Sequence, residues 1–126
     1  MSDLSLAKKL QIKAGKRLLI ANDPGGYLQM IGMPEGASVS VSADGEFDIV
    51  LAFFTERAAL DAQLNILKSG MSAGGILWVA YPKGTSGVAT DLNRDILRAH
   101  LDSVGLKAVA LVAIDDTWSA LRLKPA

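Results

Sequence analysis

A chain of 126 residues, half of them hydrophobic and 21% charged, has the length of one domain and enough apolar residues for a core, which excludes a disordered tail. Its 13 basic residues cancel its 13 acidic ones, so the positive excess of a nucleic-acid or membrane-surface binder is missing. Cysteine is absent and histidine occurs once, which rules out disulfides, thiolate metal sites, cysteine nucleophiles and any site needing two histidines.

The N-terminus shows no charged stretch followed by an apolar one, and no apolar run approaches the ~20 residues of a membrane helix. The expected compartment is therefore the cytoplasm.

Ser5 is placed to cap a short helix from Leu6 to Gln11, which Ala14-Gly15 ends. Lys16 to Ala21 reads as a buried strand, and Asn22-Asp23-Pro24-Gly25-Gly26 as a loop. Tyr27 to Ile31 fits a short helix stopped by Gly32 and Pro34. Ala37 to Ser42 alternates apolar and hydroxyl residues, the pattern of a half-exposed edge strand. Asp44-Gly45 marks a turn, and Phe47 to Phe54 is an apolar run suited to a strand buried on both faces.

Thr55 is the expected N-cap of a helix predicted over Glu56 to Ser69, with Leu60, Leu64 and Leu67 on one face and Gly70 at the stop. Ile76 to Tyr81 is a further buried strand, ended by Pro82. After the loop from Lys83 to Ala89, Thr90 is the expected cap of a helix reaching Val104, with Gly105 as its stop. Lys107 to Ile114 and Trp118 to Leu123 are strands joined by Asp115-Asp116-Thr117.

Alternating strands and helices predict a single α/β domain over residues 1–126, a three-layer sandwich around a mostly parallel sheet of about six strands. The last pair must be antiparallel, because its turn is too short for a crossover. The strand around Val39-Val41 is separated from Phe47 by too few residues for an ordinary crossover, so its direction stays open.

Ligands of open α/β sheets bind beyond the carboxyl ends of the strands. The polar residues falling there form one candidate rim: Asn22, Asp23, Gly25, Gly26, Tyr81, Lys83, Ser86, Thr90, Asn93, Arg94 and Asp116, bordered by Trp118. Lys83 and Arg94 are the candidate anion contacts, or they pair with nearby aspartates. On a helical wheel, Asn93 and His100 fall among Ile96, Leu97, Leu101 and Val104, so Asn93 is expected to face the sheet near the rim. His100, two turns further from the rim, reads as a packed histidine with one nitrogen satisfied. Asp115 and Asp116 diverge as neighbours and do not suit a shared-proton pair. No metal site is implied.

The order Phe47-Asp48-Ile49-Val50, helix, Gly74-Gly75-Ile76-Leu77, helix, antiparallel hairpin resembles the C-terminal half of adenosylmethionine-dependent methyltransferases. Four strings are more specifically similar to an uncharacterised bacterial family, domain of unknown function 3052. They are Leu6-Ala7-Lys8-Lys9-Leu10, Leu77 to Lys83, Ser86 to Asp91, and Asp116-Thr117-Trp118-Ser119. The resemblance implies a small methyltransferase-like domain. It departs from that pattern in three places: Pro24 sits in the glycine loop, the only acidic candidate for the ribose is Asp44 in a turn, and a third strand with its helix is missing.

These departures favour a non-catalytic domain without a cofactor, binding adenosylmethionine no tighter than millimolar. It would take a small anionic ligand or a protein partner at the rim, as a monomer or a homodimer, with no nucleic acid and no membrane. The dimer would use the edge at Ser38 to Ser42. The alternative is a methyltransferase-like enzyme with a reduced cofactor site.

Overall fold

The computed structural model describes residues 10, 12, 15–23, 38–40, 46–69, 71–84 and 86–125. Its strands are β1 (Arg17–Ala21), β2 (Ser38–Ser40), β3 (Phe47–Phe53), β4 (Met71–Pro82), β5 (Leu106–Ala113) and β6 (Trp118–Pro125). Helix α1 (Arg57–Ser69) joins β3 to β4, and helix α2 (Arg94–Ser103) joins β4 to β5. The expected helix over Tyr27–Ile31, and nearly all of that over Leu6–Gln11, lie outside the described residues.

The strands form one mixed sheet in the order β2-β1-β3-β4-β6-β5. The β1–β2, β1–β3 and β3–β4 pairs are parallel. Strand β6 runs antiparallel to both β4 and β5, between them. The direction of β2 follows from its length. It is level with the start of β1, Arg17 against Ser38 and Leu19 against Ser40. Three strand residues rise only ~10 Å. Six residues reach up to ~20 Å, so the length of chain between β2 and β3 is enough for a return past so short a strand.

Both sheet faces are apolar, which is why β3 reads as an unbroken hydrophobic run. On one face, Leu60, Leu64 and Leu67 of α1 and Leu97 and Leu101 of α2 cover Leu19, Val50, Leu77, Val79, Leu121 and Leu123. On the other, Leu10 and Ile12 pack with Leu18, Ile20, Ile49, Leu51, Trp78 and Trp118. Both described helices lie on the first face. The Trp78 indole N–H donates to the Leu10 carbonyl at 3.0 Å, pinning the N-terminal segment to the sheet. At the amino ends of the strands, Arg17 binds Asp48 at 3.2 Å and Glu46 at 3.4 Å, and those carboxylates hold its guanidinium charged. This basic group lies away from the candidate rim.

Helix α2 differs from its sequence reading in two ways. It is capped by Asn93, whose side-chain oxygen accepts from the Ile96 amide at 2.8 Å, and not by Thr90. Asn93 is consequently exposed at the helix start and does not face the sheet. The apolar stripe is also narrower than expected, since Ile96 and Val104 are exposed. His100 points toward α1, where its Nε2 pairs with Asp61. One of its nitrogens is thus satisfied, but by the neighbouring helix and not by the sheet. Asp61 is half-exposed, which limits the value of the pair. His100→Ala is expected to lower stability by about 0.5–1.5 kcal/mol. Asp61→Ala in the same background should add little in thermal melts, because both changes remove one contact.

Candidate functional site

The carboxyl ends of β1, β3, β4 and β5 share one edge of the sheet, because these strands point the same way. Asn22, Lys83 and Asp116 follow or adjoin those ends and lie along that edge. Neighbouring strands are ~4.8 Å apart, so the ends of β1 and β4 are separated by ~10 Å. The sheet reverses its direction of growth between β1 and β3: β2 was added on one side, β4 on the other. In open α/β sheets such a switch point is where ligands are held.

Asn22 leaves β1 with φ 61, the one positive φ among described non-glycine residues. Asparagine tolerates this left-handed turn better than most residues. Its side-chain amide donates to the Gln63 side-chain oxygen of α1 at 3.0 Å. Asp23 follows, half-buried. Gly25 and Gly26 lie outside the described residues.

Further along this edge, the loop before α2 is tied to the loop before α1. Thr90 Oγ1 donates to the Thr55 carbonyl at 2.6 Å and accepts from the Leu92 amide at 3.0 Å. Asp91 Oδ1 accepts the Arg57 amide at 2.8 Å, so a residue distant in sequence, and not the expected Thr55, caps α1. Thr90 is therefore a clamp. Ser86 turns within its own loop, accepting the Val88 amide at 3.2 Å.

The rim residues divide between the two faces. Tyr81, Lys83, Asn93 and Arg94 gather around a shallow groove of about 310 Å³ on the helix-covered face, with Gly84, Asp95, Leu111 and Ser119. Trp118 is buried on the opposite face, edge-on to Phe53 with ring centres 5.1 Å apart, and so does not wall that groove. Asp116 is exposed in the β5–β6 turn. That turn is organised by Asp115, which accepts the Thr117 and Trp118 amides at 2.9 and 2.8 Å. The Lys83 amide donates to the Thr117 carbonyl at 2.8 Å, joining the turn to the end of β4. Arg94 pairs loosely with Asp95 at 3.8 Å, not with Asp91, Asp115 or Asp116.

Burial pushes the Tyr81 phenol above its ordinary range, while the charges of Arg94 and Arg98 and a hydrogen bond with Ser119 pull it partly back. Tyr81 therefore stays neutral and keeps its proton. Ser119, paired with Tyr81 across β4 and β6, was not singled out in the sequence. Lying two residues before Leu121 and four before Leu123 puts it on their face of the strand, and is the signal that finds it. Among the described residues, no group of three or more acidic or histidine side chains is arranged to hold a metal ion. No described helix is long and apolar enough to cross a membrane.

No protein-family model matches the sequence, so membership of the resembled family is not established. A search of curated proteins also found no match. Solved structures give the fold. A SAM-dependent methyltransferase from Geobacter sulfurreducens, in complex with S-adenosyl-L-homocysteine, matches with a TM-score of 0.66 and 12% identity over 96% of this chain and 89% of that one. One from Thiobacillus denitrificans, in the same kind of complex, matches at 0.62 and 13% over 96% and 89%. YjhP from E. coli matches at 0.62 and 15% over 97% and 89%. The chain therefore has a methyltransferase-like Rossmann fold and is little shorter than these neighbours. Identities this low speak for the fold alone.

Proposed function

We propose that this chain is a methyltransferase-like enzyme with a reduced cofactor site, the crevice between the ends of β1 and β3. The observation that supports this is the strand order, with its reversal between β1 and β3 and antiparallel β6 between β4 and β5. Methyltransferases of nearly the same length match it almost end to end. That correspondence weakens the argument from a missing strand, and it favours this reading over the non-catalytic one.

The described residues suit an adenosylmethionine-type ligand. Asn22 turns the main chain sharply off the strand end, and the half-buried Asp23 offers carboxylate oxygens to a cationic head group. Asn22 and Asp23 would hold the amino-acid end. Bound there, such a cofactor supplies an electrophilic methyl group. The groove beside Tyr81 would hold the acceptor, with Lys83 and Arg94 drawing an anionic one toward it.

A second reading keeps the groove and drops the chemistry: a small anion held by Lys83 and Arg94. Calorimetry with S-adenosylhomocysteine separates the two. The enzyme reading expects a micromolar dissociation constant, weakened about tenfold or more by Asp23→Asn and left unchanged by Lys83→Ala. No binding tighter than millimolar, together with phosphate-induced stabilisation that Lys83→Ala abolishes, would establish the second reading instead.

A further inference from the structure

The groove beside Tyr81 has an apolar side that its charges do not explain. On β6, Ser119 and Leu121 lie across from Tyr81 and Val79 of β4, on the helix-covered face. Strand β5 meets them through an irregularity. Leu106, Lys107 and Ala108 pair with Pro125, Lys124 and Leu123, a register that would carry Ala110 to Leu121. Val109 is an extra residue at the shift between Ala108 and Ala110, so Leu111 stands opposite Leu121 instead. Bulges re-aim side chains in this way, and they recur beside functional sites. Leu111 thereby lines the groove near the start of α2 at Arg94, and it is left 43% exposed. The alanine of the unshifted register would have presented far less apolar surface.

The polar side is built around a fixed cation. Lys83 is partly buried, and its main chain is held on both sides. Its amide donates to the Thr117 carbonyl at 2.8 Å, and its carbonyl accepts from the Ser86 amide at 3.0 Å. Among the described residues Lys83 forms no ion pair. Arg94 adds a second positive charge. Asp95, 3.8 Å from it, adds a single negative one that stands largely in solvent. The groove is thus left with one positive charge in excess. Tyr81 stays neutral and adds none.

We infer that the groove takes a small organic monoanion with an apolar body, an aryl or branched-alkyl carboxylate, and that Leu111 selects for it. The carboxylate lies between Lys83 and Arg94, and the apolar body covers Leu111. A groove of about 310 Å³ has the size for a small molecule. Phosphate fits less well, since it leaves Leu111 uncovered and brings further negative charge toward Asp95. The inference deepens the enzyme reading and rests on it for one point, that this anion is the methyl acceptor.

NMR titration of the intact, isotope-labelled chain tests this, with hydrocinnamate, acetate and phosphate as probes. Hydrocinnamate is expected to bind with a dissociation constant of about 1 mM or below, at least about tenfold tighter than acetate or phosphate. It should shift the amides of Tyr81, Lys83 and Leu111. Leu111→Ser should bring hydrocinnamate and acetate to within about threefold of each other, while Leu111→Met, which keeps the apolar surface, retains the preference. Lys83→Ala should weaken hydrocinnamate about threefold or more, as should replacing it by its uncharged alcohol. Circular-dichroism melts confirm that the variants fold, as expected for an exposed position and a loop lysine. Equal binding of hydrocinnamate and acetate, a preference that survives Leu111→Ser, or tighter binding of phosphate overturns the proposal. Calorimetry with S-adenosylhomocysteine reads the enzyme proposal separately. Absence of that binding sinks the acceptor role, whereas absence of the carboxylate preference sinks the present inference.

Discussion

Trp78→Ala will lower stability by about 3–5 kcal/mol, the range for emptying a large buried aromatic site. Trp78 is 1% exposed in the middle of β4, packed among Leu51, Ile49 and Ala80 on the face that Leu10 and Ile12 cover. Two effects add. The cavity removes transfer energy and contacts, and the Leu10 carbonyl loses its donor. Trp78→Phe keeps most of the volume but still deprives the carbonyl, so its cost should be about 1–3 kcal/mol. Urea titrations of both variants measure the difference. A Trp78→Phe chain as stable as the parent would show that the indole N–H contributes nothing and that Leu10 finds another partner. Because domains are stable by only ~5–15 kcal/mol, Trp78→Ala removes a large share of that margin.

Leu121→Ala is the second large effect expected. Leu121 is fully buried in β6, opposite Val79 of β4 and Leu111 of β5, under both helices. Truncation there costs about 2–5 kcal/mol, according to how far the site collapses. The urea midpoint should fall with an unchanged slope, since the surface exposed on unfolding is nearly the same. A changed slope would indicate instead that the β5–β6 pair separates first.

Much of the fold was legible because burial on both faces leaves a plain mark. Phe47 to Phe53 has one partly exposed residue, Asp48, and reads as a continuous apolar run. The β5–β6 hairpin followed from the short turn at Asp115 to Thr117. The position of β6 between β4 and β5 did not, because sequence order says nothing of which neighbour a returning strand chooses. Strand β5 is apolar yet lies at the end of the described sheet, and hydrophobicity alone does not distinguish a central strand from an outer one.

The site was legible in outline. Parallel strand direction alone brings Asn22, Lys83 and Asp116 to one edge. The assignment of individual roles was harder. The segment before α2 holds Ser86, Thr90, Asp91 and Asn93, each able to cap a helix by propensity. Asn93 caps α2, Asp91 caps α1, Thr90 grips the Thr55 carbonyl and Ser86 closes its own turn. Only tertiary proximity makes that division. The groove face of Tyr81 and the opposite face of Trp118 separate residues that the rim view had joined, because adjacent strands contribute to both faces.

The placement of β6 also orders events during synthesis. As the chain leaves the ribosome, β1, β3 and β4 can assemble with α1 while their next neighbour has not yet been made. Strand β5 emerges earlier than β6 but cannot touch β4, since the intervening position belongs to the later segment. A chain whose β5 has emerged before β6 therefore carries an apolar strand with no place in the sheet, and an open β4 flank. Both are closed in one step when the hairpin folds back, so β5 gains its place in the sheet only once β6 is free to pair.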